Sequence, residues 1–153
     1  MANNQMDILL VEDNPMDLKL ALHALQNEKF SNHIEVARDG EEALDYIFCR
    51  GRHAGRNQND QPRLILLDLK LPKVDGLEVL RAIKNDPATK AIPVVILTSS
   101  KEERDLVEGY KLGANAYVQK PVDFDRFREI VKQLGLFWLV VNEPPPTTAF
   151  QPT

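Results

Sequence analysis

Short apolar runs alternate with helical patterns along most of the chain. The runs Ile8–Val11 and Leu64–Leu67 are wholly apolar, which is typical of strands covered on both faces. His33–Val36 alternates between polar and apolar residues and predicts a more exposed edge strand. Ile92–Leu97 and Ala116–Val118 predict two further strands. The pattern therefore predicts a core built on a sheet.

Apolar residues at the spacing of one helix face follow each predicted strand. Between Leu18 and Leu25 they recur at i, i+3, i+4 and i+7, and Asp13 or Asn14 is placed to cap this helix. Strand-then-helix units in series predict an α/β fold, a doubly wound five-stranded parallel sheet with helices on both faces. The later helices are predicted around Ala43–Phe48, Leu77–Ile83, Leu106–Leu112 and Phe124–Leu134.

Composition indicates one ordinary globular domain. The chain has 153 residues, of which 43% are hydrophobic and 27% charged. We predict one domain over residues 1–141, with an apolar extension from about residue 135 and a Pro-rich tail over 142–153. The lone Cys49 excludes an internal disulfide and fits a reducing cytoplasm. The start of the chain does not resemble a signal peptide, and no apolar run is long enough to span a membrane.

Chemically active side chains stand directly after four of the predicted strands. In a doubly wound sheet the carboxyl ends of the strands form the ligand site, so these residues should converge. Converging carboxylates need a cation, and an all-oxygen ligand set suits Mg²⁺. With a lysine and a hydroxyl beside it, such a site could hold a phosphoryl group, and Asp68 on the central strand is the natural nucleophile. The residues are Glu12, Asp13, Asp68, Thr98 and Lys120.

The segments that carry these residues resemble the receiver domain of bacterial response regulators, over roughly residues 6–135. They are ILLVED at 8–13, LLDLKLP at 66–72, ILTSS at 96–100 and YVQKP at 117–121. The resemblance implies a flavodoxin-like (CheY-like) fold with strand order 2-1-3-4-5. It also implies a switch protein in a two-component phosphorelay that a histidine kinase phosphorylates, rather than an enzyme with a separate substrate.

Individual roles follow from the same resemblance. It implies that Asp68 is the phosphoacceptor and that Lys120 binds the phosphoryl group, with the peptide bond to Pro121 in cis. Thr98 and Tyr117 would form the switch pair. The Mg²⁺ ligands would be Glu12, Asp13, Asp68 and the backbone carbonyl of Lys70.

A finer resemblance concerns the loop His53–Asp60 and the segment Gly135–Pro144. Both look like the stand-alone response regulators that accompany cyanobacterial phytochromes. This would make the partner a light-regulated histidine kinase, while the identity of the downstream protein stays open.

The net charge of −4 argues against broad nucleic-acid binding, and the residues after Val141 cannot form a recognition helix.

Two other classes of protein fit the sequence less well. A haloacid-dehalogenase-type phosphotransferase needs an acid two residues after its nucleophile, where this chain has Lys70. A degenerate receiver that only binds partners would lack the phosphoacceptor, the hydroxyl or the lysine, and all are present. The basic stretch Arg50–Arg63 is interpreted as a solvated loop rather than a docking surface.

The apolar run Leu136–Val141 predicts a homodimer. One helix face cannot bury six successive apolar residues, so some would be exposed on a monomer. Large aromatic side chains are typical interface anchors, and we expect Phe137 and Trp138 in the contact. The alternative is that the run folds back onto its own domain.

Overall fold

The computed structural model describes residues 8–26 and 33–150 of the chain. Residues 1–7, interpreted above as lacking a signal peptide, lie outside the described residues. So do residues 27–32 and the end of the predicted tail, 151–153.

The described residues form a parallel five-stranded sheet in the order β2-β1-β3-β4-β5 with helices on both faces, which confirms the predicted flavodoxin-like fold. The strands are β1 (Ile8–Val11), β2 (Ile34–Ala37), β3 (Leu64–Leu67), β4 (Val94–Thr98) and β5 (Ala116–Gln119). The helices are α1 (Pro15–Gln26), α2 (Gly40–Ile47), α3 (Gly76–Asn85), α4 (Glu103–Leu112) and α5 (Phe124–Leu136). Short 3₁₀ turns occupy Gly51–His53 and Thr147–Phe150, and a π-helical turn occupies Phe137–Val141.

The alternation of side chains along each strand produces two cores. One face of the sheet packs against α2 and α3, and the other packs against α1 and α5. In β1, for example, Leu9 and Val11 join the first core while Ile8 and Leu10 join the second. All four are buried, which is why this strand is wholly apolar.

Local capping fixes where the helices begin and end. Of the two cap candidates for α1 it is Asn14 whose side chain accepts hydrogen bonds, from the backbone N–H groups of Met16 and Asp17 at 3.0 and 3.1 Å. Asp39 caps α2 by accepting from the N–H of Glu42 at 2.7 Å. Gly113 ends α4 in the left-handed region, with φ 107°, as glycine does best.

Two details differ from expectation. The strand β4 begins at Val94 rather than Ile92, because Pro93 has no N–H to donate, although its carbonyl still accepts from Ile65 N–H at 2.9 Å. The Lys120–Pro121 peptide bond is trans, so the expected cis bond is a wrong prediction for this structure. Trans is favoured for an X–Pro bond by about 0.5–1 kcal/mol.

The apolar segment Leu136–Val141, at the end of α5 and beyond it, divides between core and surface. Leu139 is 3% exposed, Trp138 packs partly against the core of α1 and α5, and the guanidinium of Arg63 donates to the Leu139 carbonyl. Folding back therefore occurs for these two residues. The rest of the segment stays exposed: Leu136 and Phe137 at 48%, Val140 at 56% and Val141 at 65%.

The basic loop is held by its arginines. Arg50 and Arg52 pair with Asp45 and Glu42 at the surface, which agrees with the interpretation of a solvated loop. Arg56 instead packs inward: its guanidinium lies 3.7 Å from the centre of the Tyr46 ring and donates to the Tyr46 carbonyl.

None of the helices described within residues 8–26 and 33–150 has the length and apolar character needed to span a membrane.

The backbone that follows β3 lies very close to Gly76, the first residue of α3. A Cβ on Gly76 would lie 2.4 Å from the Asp68 carbonyl oxygen and 2.5 Å from Leu69 Cα, and these backbone atoms cannot move aside cheaply. We expect Gly76→Ala to lower the free energy of unfolding by about 1–3 kcal/mol. Gly55→Ala is the matched control, since a Cβ there has no neighbour within 4 Å. Urea denaturation compares them, and equal midpoints would contradict the prediction.

Candidate functional site

Three carboxylates meet at the carboxyl edge of the sheet. Glu12 and Asp13 follow β1, and Asp68 follows the neighbouring strand β3. One oxygen from each lies within 4.8 Å of the others. Glu12 and Asp68 are buried whereas Asp13 is exposed, so the group is open on one side. The sequence prediction that these acids converge is confirmed.

Asp68 is held with one oxygen unused. Its backbone N–H donates to the Val11 carbonyl at 3.1 Å, which extends the pairing of β1 and β3. Its Oδ2 accepts from the Lys120 ammonium at 3.1 Å. Its Oδ1 is buried and accepts no hydrogen bond from any residue that the structure describes. A buried carboxylate oxygen without a partner is costly unless a ligand or cation satisfies it.

Lys120 follows the outer strand β5 and reaches the acids along the same carboxyl edge of the sheet. Its side chain is 7% exposed, and its Nζ donates to Glu12 Oε1, to Asp17 Oδ2 at 2.8 Å and to Asp68 Oδ2. Burial by itself lowers the pKa of Lys120, but the hydrogen bonds that its ammonium donates to Asp17 and Glu12 outweigh burial, and the pKa is raised. The lysine is therefore a fixed positive charge at this site.

One lysine does not neutralise the acids. Burial, and then the charge of Asp68, raise the pKa of Glu12 to about 7 despite its bond to Lys120. A buried carboxyl beside a like charge is an arrangement that a divalent cation relieves. The three carboxylates, one of which has the unused Oδ1 of Asp68, fit a divalent metal ion.

The two residues of the predicted switch pair meet at Ser100. Thr98 is fully buried at the end of β4, and its Oγ1 accepts from the Ser100 N–H at 3.3 Å. The Tyr117 hydroxyl on β5 donates to the Ser100 carbonyl at 3.3 Å. The Ser100 hydroxyl in turn donates to Asp105 in α4. Thr98, Tyr117 and the start of α4 are thus linked through one residue.

Other predicted residues lie apart from this group. Lys70 is exposed just after Asp68, and a role for its carbonyl as a metal ligand stays a prediction. Phe137 and Trp138 stack edge to face, with ring centres 5.2 Å apart, at the end of α5.

Asp17 is the site residue that sequence reasoning missed. It lies in the first turn of α1, where an acid is usually interpreted as favourable to the helix dipole. The available signal was its place four residues after Asp13, one helical turn beyond the strand end. Nothing in that spacing indicates that its partner is Lys120, which is 103 residues away.

The fold and this group of residues define a family. The chain matches the response regulator receiver domain over residues 8–132 and belongs to that family. It is thus a receiver-type response regulator, a switch protein of two-component signalling. The resemblance inferred from the sequence is confirmed.

Three relatives are especially similar. FilR2, a probable methanogenesis regulatory protein of Methanothrix harundinacea, is 43% identical over 138 residues, covering 90% of this chain and 86% of its own. Response regulator Rcp1 of Synechocystis is 39% identical over 132 residues, covering 86% and 88%. The phosphorylated cyanobacterial phytochrome response regulator RcpA superposes with a TM-score of 0.86 at 42% identity, covering 92% and 99%. The Mn²⁺-bound form of Rcp1 also gives 0.86, at 37% identity and the same coverage.

Proposed function

We propose that this protein accepts a phosphoryl group on Asp68 from a histidine kinase, with Mg²⁺ bound by Glu12, Asp13 and Asp68. The observation that carries the proposal is the unsatisfied Oδ1 of Asp68, buried beside two further acids and one lysine. The metal-binding form of Rcp1 supports a divalent ion in a relative. The phosphorylated form of RcpA supports the chemistry.

The transfer is a displacement at phosphorus. An oxygen of the Asp68 carboxylate forms the new P–O bond, and the P–N bond of the kinase phosphohistidine breaks. The electron pair of that bond stays on the imidazole, which takes up one proton. Lys120 stabilises negative charge on the phosphoryl oxygens, and Mg²⁺ when bound supplies further neutralisation. The Thr98 hydroxyl donates to a phosphoryl oxygen.

The protein is proposed to transmit a signal and not to convert a separate substrate. The protein catalyses only its own phosphorylation and dephosphorylation, in the cytoplasm, and then acts on a downstream protein. We propose a phytochrome-type kinase as the donor. One relative supports this: RcpA is a cyanobacterial phytochrome response regulator, and the similarity covers 99% of that chain.

Phosphorylation of Asp68 is directly testable. With acetyl phosphate and Mg²⁺, we expect the intact mass to increase by one phosphoryl group. Asp68→Asn should abolish the increase because an amide is a poor nucleophile, and omission of Mg²⁺ should do the same. Asp75→Asn is the matched control, because Asp75 is exposed and makes no capping bond at the start of α3. Labelling of Asp68→Asn at the wild-type rate would refute the assignment.

The switch is proposed to act through Thr98 and Tyr117. When Thr98 Oγ1 turns to the phosphoryl group, it leaves the Ser100 N–H, and Tyr117 is free to turn inward. The helix α4 is suited to respond, since among its described residues only Gly109 is buried. The change would alter the surface formed by α4, β5 and α5.

Amide hydrogen exchange tests this switch. With beryllofluoride, a phosphoryl mimic, and Mg²⁺, we expect altered exchange across residues 98–118 and an unaltered rate in α2, which lies away from Ser100. The reason is that the bonds converging on Ser100 are exchanged for bonds to the mimic. Unchanged exchange in 98–118, with binding of the mimic shown in the same sample, would contradict the switch.

A homodimer is the last part of the proposal. Leu136, Phe137, Val140 and Val141 recur at i, i+1, i+4 and i+5 and stay exposed at the end of α5 and in the π-helical turn that follows. A second copy of this chain would cover them in a C₂ contact that includes Trp138 at its edge.

Sedimentation at micromolar concentration measures the dimer, which should have about twice the monomer mass. Phe137→Ala should shift the equilibrium toward monomer, and so should Trp138→Ala, although the latter also removes packing within its own domain. Met16→Ala on α1 is the control, since Met16 is equally exposed at 50% and distant in sequence. A wild-type protein that stays monomeric with and without beryllofluoride would exclude the dimer.

A further inference from the structure

The ammonium of Lys120 has all its hydrogen bonds in use. An ammonium offers three N–H donors, and here three carboxylates accept one each. The partners differ in burial: the side chains of Glu12 and Asp68 are 5% and 9% exposed, whereas that of Asp17 is 26% exposed. Lys120 is therefore held at three points, and a phosphoryl oxygen can reach it only if one bond is exchanged.

The three carboxylates that contact Lys120 differ in how a bound divalent cation would affect them. Glu12 and Asp68 belong to the carboxylate group that fits a divalent cation, and Asp17 does not. A cation beside Glu12 and Asp68 repels the ammonium and takes negative charge away from its bonds to them. Asp17 then remains as the one carboxylate, among those that contact Lys120, whose charge is not shared with the metal.

We infer that Asp17 is a positioning residue for phosphoryl transfer: it holds the Lys120 ammonium in place when the cation and the phosphoryl group engage Glu12 and Asp68. The inference rests on the proposed phosphorylation of Asp68. It differs from an ordinary surface ion pair because the lysine is buried, so that the pair is little screened by water. The bond also ties the first turn of α1 to the residue that follows β5.

A double-mutant cycle tests the inference. The affinity for beryllofluoride in Mg²⁺, followed by ¹⁹F NMR, is measured for wild type, Asp17→Asn, Lys120→Ala and the double variant. We expect Asp17→Asn to weaken binding about five- to ten-fold in the wild-type background. In the Lys120→Ala background the same change should have less than a two-fold effect, because Asp17 acts through the lysine. Lys120→Gln replaces Lys120→Ala if the latter does not fold.

Asp125→Asn is the matched control. Asp125 also lies in the first turn of a helix, α5, but its side chain is 84% exposed and pairs with Arg128. The substitution removes the same charge from the protein and should leave beryllofluoride affinity within two-fold. A general loss of negative charge therefore cannot account for an effect seen only in Asp17→Asn.

A second readout needs neither metal nor mimic. The side-chain ammonium protons of Lys120 are protected by three hydrogen bonds and should give a slowly exchanging ¹H–¹⁵N signal in the metal-free protein. Asp17→Asn should weaken that signal or shift it. A merely structural role of Asp17 in α1 would leave the signal of Lys120 unchanged.

The outcomes separate the two proposals. If wild type does not bind beryllofluoride, the proposed phosphorylation fails. If wild type binds and Asp17→Asn binds equally well, the role of Asp17 is refuted while the phosphorylation stands. Equal losses from Asp17→Asn in both backgrounds would also refute it, since the effect would then not pass through Lys120.

Discussion

Like charges crowded into one buried edge of the sheet are the constraint on which the rest of the structure depends. The carboxylates of Glu12, Asp17 and Asp68 contact the one ammonium group of Lys120, and Asp13 lies beside Glu12 and Asp68. Burial, and then the charge of Asp68, raise the pKa of Glu12 to about 7. Such a group is unstable by itself, because desolvated acids without full compensation destabilise a fold. The same crowding of negative charge is what the proposed binding of a cation would relieve.

The sheet keeps these charges together by close packing on both sides. Lys120 reaches Glu12 across 108 residues of sequence because parallel strands present their carboxyl ends at one edge. Next to this edge, the backbone of Asp68 lies so close to Gly76 at the start of α3 that a Cβ on Gly76 would collide with the Asp68 carbonyl oxygen. The energy of two apolar cores thus offsets the cost of the charged edge.

The surfaces that would transmit a signal are packed differently. Among the described residues of α4 only Gly109 is buried, and the start of the helix is held by polar bonds that converge on Ser100. The segment after α5 is anchored at Leu139 and leaves Phe137 exposed. Both can change at low cost, because few apolar contacts would be lost. A rigid charged edge beside loosely held surfaces is what a two-state switch requires.

The sequence by itself determined the class of fold and most of the charged edge. Strands buried on both faces must be apolar, so β1 and β3 are visible as uninterrupted runs, and the residues after them must converge at one edge. Periodicity could not show that Asp17 faces Lys120, since that bond depends on how α1 is rotated against the residue following β5. Nor could it show which apolar residues after α5 are buried. The tertiary structure alone decided that Leu139 packs inward and Phe137 does not, because a π-helical turn with Asn142 N–H donating to the Phe137 carbonyl at 2.6 Å resets which side chains face the core.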